Sequence, residues 1–250
     1  MDETEEERER GVTIEVTTRF FSTKNRDFTI LDAPGHRDYI TNMICGAANA
    51  NAAILVIDAV ASAFERGWDG YHATTKEHAI LARSQGIHEL IVAVNKMEQQ
   101  NWSEERFNMI QGIVESHLRT IGFKPTDIKF VPISGLQGEN LETRCKNEEL
   151  TKWYSGPSLF ELLDELTVPQ RIIHKPSRIT VMEYFQKAAG TLIGDCVQVK
   201  VEAGIVQDKD QLLMMPQQVS VGVKGIEHNE ERVATAPAGM ICTLGLKLTD

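Results

Sequence analysis

The stretch Phe28-Thr29-Ile30-Leu31-Asp32-Ala33-Pro34-Gly35-His36 constrains this chain more than any other. Phe28 to Leu31 read as a buried strand. An aspartate stands at its carboxyl end, and a Pro-Gly turn follows at once. In open α/β sheets ligands bind just beyond the carboxyl ends of the strands. A carboxylate there can hold a hydrated Mg²⁺, because Mg²⁺ keeps waters and takes one or two carboxylates plus phosphates. The glycine lets backbone approach a phosphate closely and offers its N–H. His36 leaves the loop where an attacking water would stand. Asp and Pro-Gly are also ordinary turn residues, so the stretch takes its meaning from its surroundings.

Those surroundings alternate strands with helices. An almost wholly charged segment, 1–10, leads into Gly11-Val12-Thr13-Ile14 and an alternating run through Val16 to Phe21, which predicts a loop feeding an edge strand. Tyr39 to Ala50 carries Ile40, Met43, Ile44 and Ala47 at helical spacing. Ala52 to Asp58 and Leu90 to Val94 are apolar, β-branched runs that predict buried strands. Between them Thr74 to Ser84 reads as a helix. Ser103 is placed to cap a long helix that Gly122 ends. Ile128 to Ile133 predicts a further strand and Leu159 to Leu166 a further helix. Strand–helix alternation means right-handed βαβ units and a parallel sheet covered on both faces. From Ser177 the pattern changes to short alternating runs, punctuated by Gly and Pro, at 178–182, 195–201, 211–214, 219–223 and 240–246. That pattern predicts a small β-barrel. The expected division is 1–170, a linker at 171–176, and 177–250.

Charge and cysteine usage narrow the class. The net charge of −10 gives no nucleic-acid coat. The four cysteines are scattered, with no Cys-x-x-Cys spacing, and read as a reduced, cytosolic set. The seven histidines contain no zinc-protease motif. No apolar run is long enough to span a bilayer, and the acidic N-terminus is neither a signal nor a transit peptide. The expectation is a cytoplasmic protein with no membrane partner.

Two more strand ends carry polar loops. Asn95-Lys96-Met97-Glu98 offers an amide, a long aliphatic stem with an ammonium, and a carboxylate. A carboxylate can accept two parallel N–H bonds from one edge of guanine, and a Lys stem can lie over a flat base. Ser134-Gly135-Leu136 offers backbone N–H groups to a base oxygen. Each alone is weak; three in order, each at a strand end, are strong.

Together with Arg8-Glu9-Arg10-Gly11-Val12-Thr13-Ile14, these motifs resemble the switch and guanine-recognition motifs of the translational GTPases, nearest to the elongation factor 1-alpha branch. Residues 1–8 and Glu148-Glu149-Leu150-Thr151-Lys152-Trp153-Tyr154 resemble most its ribosome-rescue members that partner pelota, with the class-II release-factor GTPases second. The resemblance implies a P-loop-NTPase-like α/β GTPase domain followed by a β-barrel, binding GTP or GDP with Mg²⁺ and hydrolysing GTP on the ribosome. It implies that Thr13 ligates Mg²⁺ and that Asp32 holds it through water. It also implies that Ala33, Pro34 and Gly35 lie along the phosphate, with Gly35 N–H on the γ-phosphate, and that His36 positions the attacking water. Asn95, Lys96, Glu98, Ser134, Gly135 and Leu136 would hold guanine. The implied partners are the ribosome, a pelota-like or release-factor-like protein, and tRNA.

Two departures stand out. Glu98 occupies the place of the family's Asp. The phosphate loop, Gly-x-x-x-x-Gly-Lys-Ser/Thr, is missing, and no Gly-Lys dipeptide occurs in the 250 residues. The first expectation is an incomplete gene model or a fragment. The alternatives are a GTPase-like ribosome- or release-factor-binding protein that does not hydrolyse, and an elongation factor that delivers aminoacyl-tRNA.

Overall fold

The computed structural model describes residues 16–69, 74–187 and 192–248. The chain divides into two compact units, Met1–Val168 and Pro169–Asp250.

In the first unit β1 (Thr17–Ser22) and β2 (Asp27–Asp32) form an antiparallel ribbon with Thr17 opposite Asp32. A 3₁₀ turn at Arg37–Tyr39 leads into α1 (Ile40–Asn49). A separate parallel sheet has the order β3 (Ala52–Asp58), β4 (Glu89–Asn95), β5 (Ile128–Pro132). Parallel neighbours need a crossover of a dozen or more residues. Here α2 (Ala61–Asp69) and α3 (Thr74–Ser84) carry the chain from β3 to β4, and α4 (Glu104–Thr120) carries it from β4 to β5. A single helical turn, α5 (Glu148–Thr151), and α6 (Leu159–Glu165) complete the unit.

The central strand shows why the sheet is two-sided. Side chains alternate across a strand. Leu90, Val92 and Val94 enter a core with Ile110, Val114 and Leu118 of α4 and Ala79 and Ala82 of α3. Ile91 and Ala93 face the other way, onto Leu162 and Leu163 of α6. All five are buried. Each of the larger ones contributes about 1.5–3 kcal/mol by leaving water. The same α6 core takes Phe21 and Phe28 of the ribbon, whose rings stack at 5.2 Å. Asp164 also accepts from the Thr23 hydroxyl, and from Asn25 Nδ2 at 3.0 Å. The ribbon is thus tied to α6, and among the described strands it pairs with none of β3–β5.

One consequence is an open edge. Among the described strands β2 pairs only with β1, and β3 only with β4. Ile54 and Val56 on β3 stand 38% and 58% exposed, although the strand is otherwise apolar.

Helix ends follow local chemistry. The Ser103 hydroxyl accepts from Arg106 N–H at 3.2 Å, as expected of the cap. Glu104 and Glu105 lie in the first turn of α4, and His117 and Arg119 in the last, matching the helix dipole. Gly122 takes φ +99° just beyond the end, a conformation that costs a glycine nothing. Helix α6 starts from a full capping box between Ser158 and Glu161. Helix α2 is not legible in the sequence, yet it buries Phe64 and Trp68, with their rings stacked at 5.9 Å.

The second unit is the β-barrel. Its antiparallel path runs β11 (Glu231–Val233), β10 (Val219–His228), β13 (Ile241–Leu248), β7 (Gly194–Ala203), β6 (Arg178–Lys187), with β9 (Gln211–Met214) on β10. A ribbon of β8 (Ile205–Gln207) and β12 (Thr235–Pro237) adds Val206 and Ala236 to the core. Alternate residues Val197, Val199 and Val201 of β7 fill that core, beside Val221 and Val223 of β10. A register shift between Val223 and Gly225 then brings Ile226 inward. Within this unit Ile172 accepts from Gly204 N–H at 2.8 Å, so 171–176 is anchored rather than hanging between the units.

Candidate functional site

Two loop groups leave the carboxyl ends of the strands in the first unit. The first is built around β3, β4 and β5. Register sets Asp58 opposite Asn95. Lys96 Nζ donates to Asp58 Oδ2 at 2.7 Å, while Asp58 Oδ1 accepts from Val60 N–H at 2.8 Å. Asn95 Oδ1 accepts from both Lys96 N–H and Gly135 N–H, each at 2.8 Å, and so joins the β4 loop to the β5 loop. Ile133 N–H reaches Val94 carbonyl at 2.8 Å and Met97 N–H reaches Ile133 carbonyl at 3.3 Å, extending the same seam. Lys96 is held at φ +63°, a strained state for a non-glycine that these bonds over-determine.

A Cβ on Gly135 would stand 3.4 Å from the Asn95 amide, in van der Waals contact with it. Ser134 is fully buried and exchanges backbone bonds with Glu139, 3.1 Å in each direction. Its hydroxyl accepts from Gln137 N–H at 3.2 Å. Leu136, by contrast, is 88% exposed.

Glu98 is the most informative member. Both carboxylate oxygens are buried and, among the described residues, neither has a hydrogen-bond partner. A buried carboxylate without donors is costly, and native structures rarely keep one that nothing uses. Asp58 is the residue that the sequence reading missed. Its signal was present: like Asp32, it is an acidic residue closing an apolar strand.

The second group is Asp32 to His36. Asp32 ends β2, Pro34 is buried, and Gly35 and His36 are exposed. His36 Nδ1 accepts from Asp38 N–H at 3.2 Å and lies 3.5 Å from the Asp38 carboxylate. In the neutral form of the ring that bond leaves the proton on Nε2, where the 48% exposed side chain can present it as a donor. A Cβ on Gly35 would meet nothing closer than His78 Cε1 at 4.0 Å, so among the described residues nothing demands glycine there. Thr13 lies outside the described residues. Among those described, no group of three acidic, His or Cys side chains gathers as a metal cluster. Mg²⁺ needs only one or two carboxylates beside phosphate oxygens, so Asp32 remains a suitable donor.

Trp102 belongs to the core of the first unit, and Trp153 and Tyr154 pack against it. Trp102 is buried, and its carbonyl accepts from Trp153 Nε1 at 2.8 Å. Tyr154 Oη donates to Pro157 carbonyl at 2.8 Å, and burial pushes its pKa up to about 12.

Comparison with known proteins decides the family. Residues 1–185 match the Elongation factor Tu GTP binding domain. The chain belongs to the translational GTPases. It is 41% identical over 230 residues to Protein HBS1 of Drosophila melanogaster, covering 92% of this chain and 34% of that protein. It is 44% identical over 241 residues to Elongation factor 1-alpha of Desulfurococcus mucosus, covering 96% and 53%. Among solved structures, sup35 complexed with GDP superimposes with a TM-score of 0.51 at 31% identity, covering 92% of this chain and 53% of that one. The chain thus spans a third to about half of the relatives it matches. In this translational GTPase no helix among the described residues is long and apolar enough to cross a membrane.

Proposed function

We propose that the first unit is the nucleotide-handling part of a GTPase that binds GTP with Mg²⁺ and hydrolyses it to GDP and phosphate on the ribosome. The observation that carries this reading is the Glu98 carboxylate, buried and without donors, on a turn braced by the Asn95–Gly135 and Lys96–Asp58 bonds. Guanine supplies adjacent N–H donors to such a group; adenine does not. Likeness to a GDP-bound structure supports the same ligand.

In this reading Asn95, Lys96, Glu98, Ser134, Gly135 and Leu136 hold the base. Gly35 N–H meets the terminal phosphate, with Ala33 and Pro34 shaping the loop. Asp32, and Thr13 beyond the described residues, hold Mg²⁺, which when bound neutralises phosphate charge. His36 donates from Nε2 to the water or phosphate oxygen and fixes the line of attack. Phosphoryl transfer asks little more of a protein than such positioning and charge stabilisation. Likeness to Protein HBS1 supports a place in ribosome rescue or a termination-like step, with a pelota-like or release-factor-like partner, in the cytoplasm. Pull-down with a pelota-like protein against charged tRNA tests that placement; capture of the tRNA alone assigns the elongation role instead.

The alternative reading is a GTPase-like ribosome- or release-factor-binding protein that does not turn over nucleotide. Single-turnover GTP hydrolysis with ribosomes, compared with a chimera carrying a family phosphate loop ahead of residue 1, separates the two. Hydrolysis by the chimera alone shows that the described site is competent once phosphates are held.

A further inference from the structure

Outside the two loop groups, one side chain is out of place for an ordinary helix face. His78 lies on α3, directly before the buried Ala79. Its Nε2 is buried and, among the described residues, has no hydrogen-bond partner. Its Cε1, the carbon bonded to that nitrogen, faces the second loop group, 4.0 Å from where a Gly35 Cβ would stand. Burial holds the ring below the usual histidine pKa, against the opposing charge of Glu77, so it is neutral at pH 7. A neutral imidazole offers one N–H donor and one acceptor. His117 is the other histidine with a buried, unpartnered Nε2, but its ring meets the Trp68 ring edge-on at 5.4 Å and lies on α4. Only His78 pairs an unused polar atom with a loop read as phosphate-binding.

We propose that His78 is a positioning residue for the Pro34–His36 loop. When a phosphate is held at Gly35, the loop settles onto α3 and the His78 Nε2–H donates to a loop carbonyl. The Gly35 N–H stays free for the phosphate, and the outward course of His36 is fixed. This rests on the phosphate reading above and extends it to a second histidine that touches no substrate. The geometry needs only a small approach, since the ring and the loop are already neighbours.

The test uses the 250-residue chain with Mg²⁺ and a non-hydrolysable GTP analogue at millimolar concentration, followed by ¹⁵N NMR of the histidine rings and of the Gly35 and Gly135 amides. Expected in the wild type is a shift at both amides and a His78 Nε2–H signal whose solvent exchange slows at least tenfold. His78→Leu keeps the Gly135 response but needs at least fivefold more analogue for the Gly35 response, while His78→Gln, which keeps an amide N–H, stays within twofold of wild type. A Gly35 shift without any change at the His78 ring, or equal Gly35 responses in the Leu variant and the wild type, overturns the proposal and leaves the phosphate reading standing. Equal losses in the Leu and Gln variants also overturn it, because packing alone then explains the site. Silence at Gly35 while Gly135 responds overturns the phosphate reading at this loop and the proposal with it. If His78→Leu does not fold, the wild-type exchange rate and the Gln variant decide the matter.

Discussion

The two loop groups are made differently. The loops after β4 and β5 are braced by bonds inside the chain: Asn95 Oδ1 takes two N–H groups, and Lys96 reaches Asp58. The loop after β2 is exposed at Gly35 and His36, and among the described residues nothing crowds its glycine. Its strand belongs to a two-stranded ribbon that pairs with no other described strand. The difference teaches that, on the proposed reading, the loops assigned to the base are braced in advance, whereas the loop assigned to the phosphate is not braced by the described residues. Preorganised donors add affinity because their ordering cost is already met.

The largest effect should come from His36. In a chimera with a family phosphate loop, His36→Ala is expected to keep nucleotide affinity within twofold and to lower ribosome-stimulated hydrolysis by roughly 10²- to 10⁴-fold, the range for losing a group that handles a water's proton or position. Unchanged single-turnover rates would remove His36 from the chemistry. Folding stability should move by no more than about 1 kcal/mol, because the exposed side chain accepts only the Asp38 N–H bond.

Asn95→Ala should behave in the opposite sense. It removes one acceptor that serves two N–H groups, at about 1 kcal/mol each. The first unit should lose about 2 kcal/mol, roughly 4–8 °C in Tm for a unit of this size, and guanine selectivity with it. A melt within 1 °C of wild type would show that the two loops are braced elsewhere. Gly135→Ala is a milder version of the same break. Gly35→Ala should leave Tm unchanged while weakening binding of the triphosphate, but not of a nucleoside.

Acidification supplies a smaller, diffuse test. Burial lowers the pKa of both His78 and His117 in the folded chain, and Lys76 adds to the effect at His117. The unfolded chain then binds more protons just below pH 6.5, so stability present at pH 7 falls as pH drops through that value toward the folded pKa values. Urea midpoints measured from pH 7.5 to 5.5 should decline, and less steeply in His78→Gln. A flat profile would place both rings in water.

Much of this was legible in the residues. The apolar run at 90–94 reads directly as a buried strand, because a strand covered on both faces cannot hide its composition; the run at 52–58 is also a strand, but the burial expected of it fails at Ile54 and Val56, which stand exposed on its open side. Ser103 and Gly122 marked their helix correctly. Helix α2 was not legible: Glu65, Arg66 and Gly67 interrupt the period that Phe64 and Trp68 would otherwise show. The three-residue strands β8, β11 and β12 are shorter than any periodicity can register. At the site, motif order identified Asn95, Lys96 and Ser134, but not Asp58, whose bond to Lys96 crosses 38 positions and depends on the β3–β4 register. The orphaned Glu98 oxygens and His78 nitrogen are facts of tertiary packing and have no sequence signature.

Glu98 bears most directly on the central claim, that the base side stands ready while the phosphate side does not. Two charge-assisted bonds from guanine, at about 2 kcal/mol each, sum to roughly 4 kcal/mol, which corresponds to about millimolar affinity. Calorimetric titration of the 250-residue chain with GDP and with ADP, both with Mg²⁺, should therefore find GDP binding near millimolar and no ADP binding. Glu98→Asp should tighten GDP severalfold, because a carboxylate drawn back by one methylene meets both N–H groups in the family's geometry, and Glu98→Gln should abolish the preference. Equal binding of GDP and ADP would contradict the assignment of the base pocket. Micromolar or tighter GDP binding would contradict the contrast itself, since the phosphates would then be held by groups this account does not include.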